Sequence, residues 1–350
     1  MPNFVYVGAA PWIAATQDAR TGGLFRLDGA RCHWDRLTAG LPDGVEVRAM
    51  AMAPDNPRVI YAGTQHGPYR STDAGDSWQP LPLPGKETLT WSILVADEKT
   101  IYVGTQGTTM YRSRDGGASW TELSPPAPRG MVRMSFPCRV IRLARDPTAP
   151  QDLYAALEVG GVMRSRDGGN SWADCNAGLL EYTEDPRYRS RIVSDTETEG
   201  IMDSHALQVS KAAPGTVFLA NRMGLFKSEN GGRQWQDMAI SRFSPLTYAR
   251  DIKVSHHNPR RMYAALSVAA VSDEGSLYVS QDLGASWERF DHGVAMTSTL
   301  MIIAESPLEP DRVWCATRRG QVFGTVDGGK RWREYRLPDG VEGVYALAAA

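Results

Sequence analysis

The sequence predicts an all-β fold: a seven-bladed β-propeller of four-stranded antiparallel blades, with the ring closed by the C-terminal strand completing blade 1. Three observations carry that expectation. A short phrase ending in tryptophan returns along the 350 residues, its interval matches a four-stranded blade, and the composition favours turns and half-buried sheet, with 34 Gly, 22 Pro, 10 Trp and 13 Tyr.

The phrase reads Ser71-Thr-Asp73-Ala-Gly75-Asp-Ser-Trp78 at its first full copy. It recurs as Ser113-Arg-Asp115-Gly-Gly117-Ala-Ser-Trp120, Ser165-Arg-Asp167-Gly-Gly169-Asn-Ser-Trp172 and Ser228-Glu-Asn230-Gly-Gly232-Arg-Gln-Trp235. Ser280-Gln-Asp282-Leu-Gly284-Ala-Ser-Trp287 and Thr325-Val-Asp327-Gly-Gly329-Lys-Arg-Trp332 follow, and a worn copy, Asp28 to Trp34, comes before them all. Successive tryptophans lie 44, 42, 52, 63, 52 and 45 residues apart, a period in the range of a four-stranded propeller blade rather than a helical repeat. The blades are placed at 343–350 plus 3–38, then 45–81, 89–123, 138–175, 203–238, 248–290 and 297–336, in a single domain over 1–350.

Each unit reads as strand A, turn, strand B, loop, strand C, Asp-containing turn, strand D. The Asp or Asn offers a side-chain oxygen to backbone N–H groups two residues on, and the following Gly accepts positive φ, so the phrase closes a hairpin. Asp73, Asp115, Asp167, Asn230, Asp282 and Asp327 therefore have a structural role, and the Trp lays a large apolar plate on the neighbouring blade. Upstream comes a strand such as Ile101-Tyr-Val-Gly104 or Met262-Tyr-Ala-Ala265, and before it a turn such as Asp146-Pro-Thr-Ala-Pro150. Phe4-Val-Tyr-Val-Gly8 matches strand B and Val344-Tyr-Ala-Leu-Ala348 matches a strand A with nothing after it, so the two ends belong to one blade.

Charge and motifs exclude several functions. With 38 Lys+Arg against 40 Asp+Glu there is no excess to bind nucleic acid or a membrane surface. No apolar run reaches the ~18 residues of a bilayer span and Met1 to Asp18 lacks the pattern of a signal peptide, so a cytoplasmic protein is expected. Cys32, Cys138, Cys175 and Cys315 are too irregularly spaced for a disulfide framework or a metal site, and no metal or cofactor is expected. Ser-His-Asp order, G-x-S-x-G, a Walker loop and a dinucleotide fingerprint are all missing.

The turns resemble the Asp-box, or bacterial neuraminidase repeat, and the resemblance covers essentially the whole chain. It implies a sialidase-like propeller superfamily that includes sialidases, xyloglucan-cleaving enzymes, sortilin-type receptors and a photosystem II assembly factor, with the Asp-box away from the ligand face. A true sialidase would add an Arg-Ile-Pro phrase, three arginines and six blades; the nearest phrase here is Phe25-Arg-Leu-Asp28. Xyloglucan-cleaving relatives carry two propellers with an acid pair between them.

Function is then expected on the loops of one scaffold face, formed by the D-to-A and B-to-C connections. The connections at 173–203, with the charged stretch 181–191, and at 124–137 are long enough to be lids or partner surfaces, and those at 10–20 and 268–275 are also extended. Aligned strands A place Arg48, Trp91, Ile141, His205, Arg250, Met301 and Tyr345 at one ring position, above an apolar ring of Met50, Ile93, Leu143, Leu207, Ile252, Ile303 and Leu347. The ends of strands B supply Gln65, Gln106, Glu158, Arg222 and Arg318, with His66 beside them. These residues predict an axial pocket for a small anionic or polyhydroxylated ligand: Arg48, Arg250, Arg222, Arg318, Trp91, Gln65, His66 and Gln106 bind it, while His205, Tyr345 and Glu158 do acid–base chemistry in a lyase, hydrolase or isomerase. Glu158 among arginines is expected to have a depressed pKa. Solvated strand ends with no ligand, and a protein-binding scaffold using the 181–191 stretch, are the competing readings.

Overall fold

A computed structural model describes residues 4–11, 22–29, 32–85 and 88–350. Seven four-stranded antiparallel sheets stand around an axis. The sheet of blade 1 is built from Phe4–Ala9, Gly23–Asp28 and His33–Arg36 with Val344–Ala349 inserted as its innermost strand. That strand pairs antiparallel with Phe4–Ala9, Val5 facing Ala349 and Gly8 facing Ala346, so the expected ring closure is present. The other innermost strands are Val47–Ala53, Thr90–Val95, Val140–Arg145, Ser204–Val209, Tyr248–Val254 and Leu300–Glu305. Among the described residues no helix is long and apolar enough to cross a membrane.

The Ser-x-Asp-x-Gly turns close upon themselves. In the copy at 113–120 the Ser113 hydroxyl donates to Asp115 Oδ1 at 2.8 Å and accepts the Gly117 N–H at 2.8 Å. Asp115 also accepts the Ser119 N–H at 2.8 Å and the Ser119 hydroxyl at 2.5 Å. The aspartate thus bonds an amide four residues on, not two as expected; the serine makes the shorter link, to the Asp115 N–H at 3.2 Å. Donors from Ser119 and Ser113 lower the Asp115 pKa to about 2. Gly116 and Gly117 take φ of 72° and 94°, which only glycine adopts without strain.

The core consists of seven slabs rather than one centre. Each buried apolar cluster among the described residues spans two adjacent blades, as where Tyr102 and Leu123 of blade 3 meet Leu153 and Trp172 of blade 4. Every repeat tryptophan in these slabs lies against the preceding blade: Trp78 on Tyr6 and Leu37, Trp287 on Phe218 and Met238. A blade presents apolar residues on both faces because it has a neighbour on both sides, which is why the strands read as near-continuous hydrophobic runs.

One irregularity repeats in all seven blades. Each innermost strand carries a β-bulge near its start, and the residue left without a cross-strand partner is Arg48, Trp91, Ile141, His205, Arg250, Met301 or Tyr345. A bulge re-aims one side chain out of the regular alternation. Here it re-aims seven toward the axis.

Candidate functional site

All seven bulged residues line a narrow axial shaft of about 60 Å³. The shaft shares Trp91, His205, Arg250 and Tyr345 with a wider cleft of about 280 Å³ at the mouth. The cleft is walled by Arg139 and Glu158 of blade 4, Asp203, Arg222 and Tyr248 of blades 5 and 6, and by Phe136, Val193 and Ala270 from the connecting loops. It therefore sits on the D-to-A and B-to-C side, opposite the Ser-x-Asp-x-Gly turns.

His205 is 2% exposed and held on both ring nitrogens. Nδ1 lies 2.7 Å from the Ala249 carbonyl oxygen, which can only accept, so we assign the proton to Nδ1. Nε2 then accepts from the Tyr248 hydroxyl at 3.4 Å, with Asp203 Oδ2 at 3.3 Å. Burial, reinforced by Arg250, outweighs the pull of Asp203 and keeps the His205 pKa below the ordinary histidine value, so the imidazole is neutral near pH 7. Burial also opposes the charge on Asp203, yet the Arg222 and Arg250 guanidiniums around it hold this carboxyl well below the usual range. Arg222 Nη2 reaches Asp203 Oδ2 at 2.9 Å and its Nε at 3.0 Å.

The opposite wall is a cation–π ladder. Arg139 lies 4.5 Å from the Trp91 ring and 4.5 Å from Phe136, Arg48 lies 5.0 Å from Trp91 and 5.6 Å from Tyr345, and Trp91 meets Tyr345 edge-on at 5.7 Å. These contacts lock the arginines in place. Arg139 binds both Glu158 oxygens, at 2.8 and 3.1 Å, and Arg48 binds Glu46 at 2.5 Å.

Arg250 differs from its neighbours. It lines both shaft and cleft, and among the described residues no carboxylate comes within ion-pair distance of its guanidinium. Arg48, Arg139 and Arg222 each have one.

Several expectations need correction. Glu158 is not depressed: burial, helped by nearby Asp203, raises its pKa to about 7 against the pull of Arg139 and Arg250. The ring beneath the bulges is not uniformly sealed core. Met50, Ile93 and Leu347 line the shaft, as do Arg142 and Lys253 beside it, while Leu207, Ile252 and Ile303 are fully buried. Gln65, His66, Gln106 and Arg318 line neither cavity. Gln65 instead accepts the Glu46 N–H at 2.8 Å and donates to the Gly44 carbonyl at 3.1 Å, pinning a loop. Gln106 is exposed beside an isolated bridge to Arg139, the His66 N–H bonds the Thr64 hydroxyl at 3.0 Å, and the Arg318 backbone bonds Thr299 and Gly343. The physical reason is position around the ring: the cleft lies off-centre against blades 4 to 6, so of the strand-B ends only Glu158 and Arg222, on blades 4 and 5, reach it, while Gln65, Gln106 and Arg318 stand on blades 2, 3 and 7.

The sequence reading missed Asp203, Tyr248 and Arg139. All three stand within two residues of a bulge on an innermost strand, a signal that a register search one step wider would have found. The 173–203 connection is not slack. It holds the short helices Ala177–Leu180 and Glu199–Met202, and Tyr188 donates to Asp237 at 2.6 Å. Glu199 accepts the Ile192, Val193 and Ser194 N–H groups at 2.9 to 3.2 Å. Burial pushes this carboxyl up, but those donors leave it below its ordinary value. Of the 10–20 connection, residues 12–20 lie outside the described set. Among the described residues no group of three or more His, Cys, Asp or Glu could hold a metal, and the four cysteines are free.

Comparison with known proteins agrees with the architecture. A profile described as the DUF6242 beta propeller domain matches residues 3–183. The photosystem II stability/assembly factor HCF136 of Arabidopsis thaliana is 22% identical over 336 residues, which is 93% of this chain and 76% of that protein. Xyloglucanase Xgh74A of Acetivibrio thermocellus is 28% identical over 166 residues, 37% of this chain but only 19% of the enzyme, so the match spans about a fifth of that enzyme's length. Among solved structures, an ancestral GH74 enzyme superposes with a TM-score of 0.60 at 17% identity, covering 90% of this chain and 39% of the other. YCF48 bound to D1 peptide gives 0.58 at 16% identity, with 91% and 88% covered. Likeness to structures at such identities establishes the fold.

Proposed function

The chain belongs to the DUF6242 beta propeller domain family, and from that premise we propose that it binds a small, hydroxyl-rich carboxylate in the axial cleft, with Arg250 receiving the carboxylate. One observation carries this reading: among the described residues no carboxylate comes within ion-pair distance of Arg250, although Asp203 and Glu158 lie near enough to feel its charge, in a wall where Arg48, Arg139 and Arg222 are each paired. A half-buried guanidinium with no carboxylate at ion-pair distance is poorly compensated, and an incoming carboxylate takes two of its N–H groups in the bidentate geometry that suits it. The cleft, about 280 Å³, falls just below the usual range of ligand pockets, roughly 300 to 1,000 Å³, which favours a small ligand of sugar-acid size.

The neutral His205 next to the Tyr248 hydroxyl gives the same cleft a proton donor and acceptor. If a reaction occurs there, Tyr248 delivers a proton to the ligand or takes one, and His205 Nε2 exchanges with it. Glu158, with a pKa of about 7, is a second group able to hold or give a proton near neutrality. We also read the Ser-x-Asp-x-Gly turns as Asp-boxes, whose place on the other face leaves the mouth free for a ligand.

The test is calorimetric titration of the protein with gluconate and glucuronate, with glucose as the uncharged control. Arg250→Ala should weaken carboxylate binding by about 10- to 100-fold, the range for losing a charged hydrogen bond. Undiminished binding by this variant overturns the assignment.

A second reading has support of its own. HCF136 matches nearly the whole chain, YCF48 was solved with a peptide, and Ile192, Val193, Val268 and Val271 are exposed on loops beside the cleft. On that reading the mouth docks a protein segment, and the titration is silent with every sugar acid while a peptide binds.

A further inference from the structure

Below Arg250 the axial shaft stays positive. Arg142 and Lys253 line it, beneath the bulged Arg48 and Arg250. The nearest carboxylate is Asp251, 1% exposed and already committed. Its Oδ2 accepts the Ile303 N–H at 2.9 Å, and its Oδ1 accepts its neighbour Ile252 at 3.0 Å and faces Arg142 at 3.4 Å. Glu305, the other acidic group around Lys253, accepts the Ser255 hydroxyl at 2.7 Å and the His256 N–H at 2.6 Å. Among the described residues no acidic side chain comes within ion-pair distance of Lys253.

The shaft, about 60 Å³, exceeds several times the ~10–15 Å³ a single water needs, and it is far smaller than the cleft above. It is too narrow for a sugar ring and suits an open chain with a compact end group. Arg250 and Lys253 are three residues apart on the strand Tyr248–Val254, about 10 Å at ~3.3 Å per residue.

We propose that the shaft is a second anion site, in which Lys253 and Arg142 hold a terminal phosphoryl group of the same ligand whose carboxylate sits on Arg250. This rests on the carboxylate reading above and extends it: the ligand class becomes an extended dianion, a phosphorylated sugar acid. The hydroxylated carbon chain runs in open form from Arg250 at the foot of the cleft down toward Lys253, and the two anionic ends fix its direction along the axis. Burial lowers the Lys253 pKa, with Arg142 adding to the effect and Asp251 and Glu305 opposing it only in part, as befits an ammonium with no carboxylate at ion-pair distance among the described residues. A phosphoryl group would restore that charge and reverse the shift.

Gluconate and 6-phosphogluconate differ only in the terminal phosphate, so paired titrations of the full chain read the second site directly. The wild type should bind 6-phosphogluconate about tenfold or more tightly than gluconate. Lys253→Met should bring the two affinities together while leaving gluconate unchanged, and Lys253→Arg should restore the difference. Arg142→Met, checked by thermal melting for a folded ring, should narrow the gap in the same way. Equal affinity of the wild type for both compounds, or an equal loss of both in Lys253→Met, overturns the second site; a surviving effect of Arg250→Ala on gluconate then leaves the carboxylate reading intact. If neither compound binds, both fall together.

Discussion

The two faces of this propeller solve opposite problems with the same sevenfold frame. On the turn face the six full copies of one phrase carry nearly the same residues, and each closes its own hydrogen bonds: Ser113, Asp115 and Ser119 satisfy one another within a single hairpin. On the mouth face one bulge recurs in every blade, yet its seven residues are Arg, Trp, Ile, His, Arg, Met and Tyr. Where a residue's partners are local, chemistry fixes its identity. Where a backbone device sends a side chain into a shared space, identity is free to serve a ligand.

Trp172→Ala should break the turn face hardest. It removes a plate from the slab between blades 3 and 4, and a loss of about 3–5 kcal/mol is expected in chemical denaturation. Affinity for a sugar acid should stay unchanged in the folded fraction, since Trp172 lies on the far side from the cleft; a parallel loss of affinity would show that the two faces are not independent. Ser113→Ala is milder. It leaves the buried Gly117 N–H without its acceptor, and about 1–3 kcal/mol should be lost.

The smallest effect is a pH signature at the mouth. Glu158 has a folded-state pKa of about 7, above its ordinary 4.5, so the folded protein binds its proton more tightly than the unfolded chain. The stability this contributes is complete below pH 4.5 and is lost as pH rises to 7. Glu158→Gln should flatten the dependence of the melting temperature on pH across that window. A curve of unchanged slope would mean that Glu158 is ionised throughout in the folded state.

The fold was legible because its determinants are local: a hairpin phrase of eight residues and a strand pattern suffice to count blades. The ring of bulged residues was legible too, since strands A can be aligned on their own turns, and all seven were placed on the axis. The site's partners were not. Asp203 meets Arg222 across a strand pair and His205 meets Tyr248 across two blades, contacts that arise from the ring's curvature and from no spacing in the chain. The Glu158 error has the same origin. Counting arginines along the sequence captures attraction, whereas the raised pKa comes from burial, which depends on how Phe136, Val159 and Val193 enclose the cleft. Gln65, Gln106 and Arg318 line neither cavity for a geometric reason: they stand on blades 2, 3 and 7, away from the cleft against blades 4 to 6.

The strand Val344–Ala349, innermost in a blade otherwise made by the first 36 residues, has a consequence for timing. It brings Tyr345 to Trp91 and Arg48, so the aromatic wall of the cleft is incomplete until the last strand docks beside Phe4–Ala9. During synthesis the blades can stack in order as they leave the ribosome. The mouth cannot take its final form until Val344–Ala349 has been made. Ligand capture would then report that the circle has closed, and a chain stopped short of Val344 would hold six whole blades and no finished binding place.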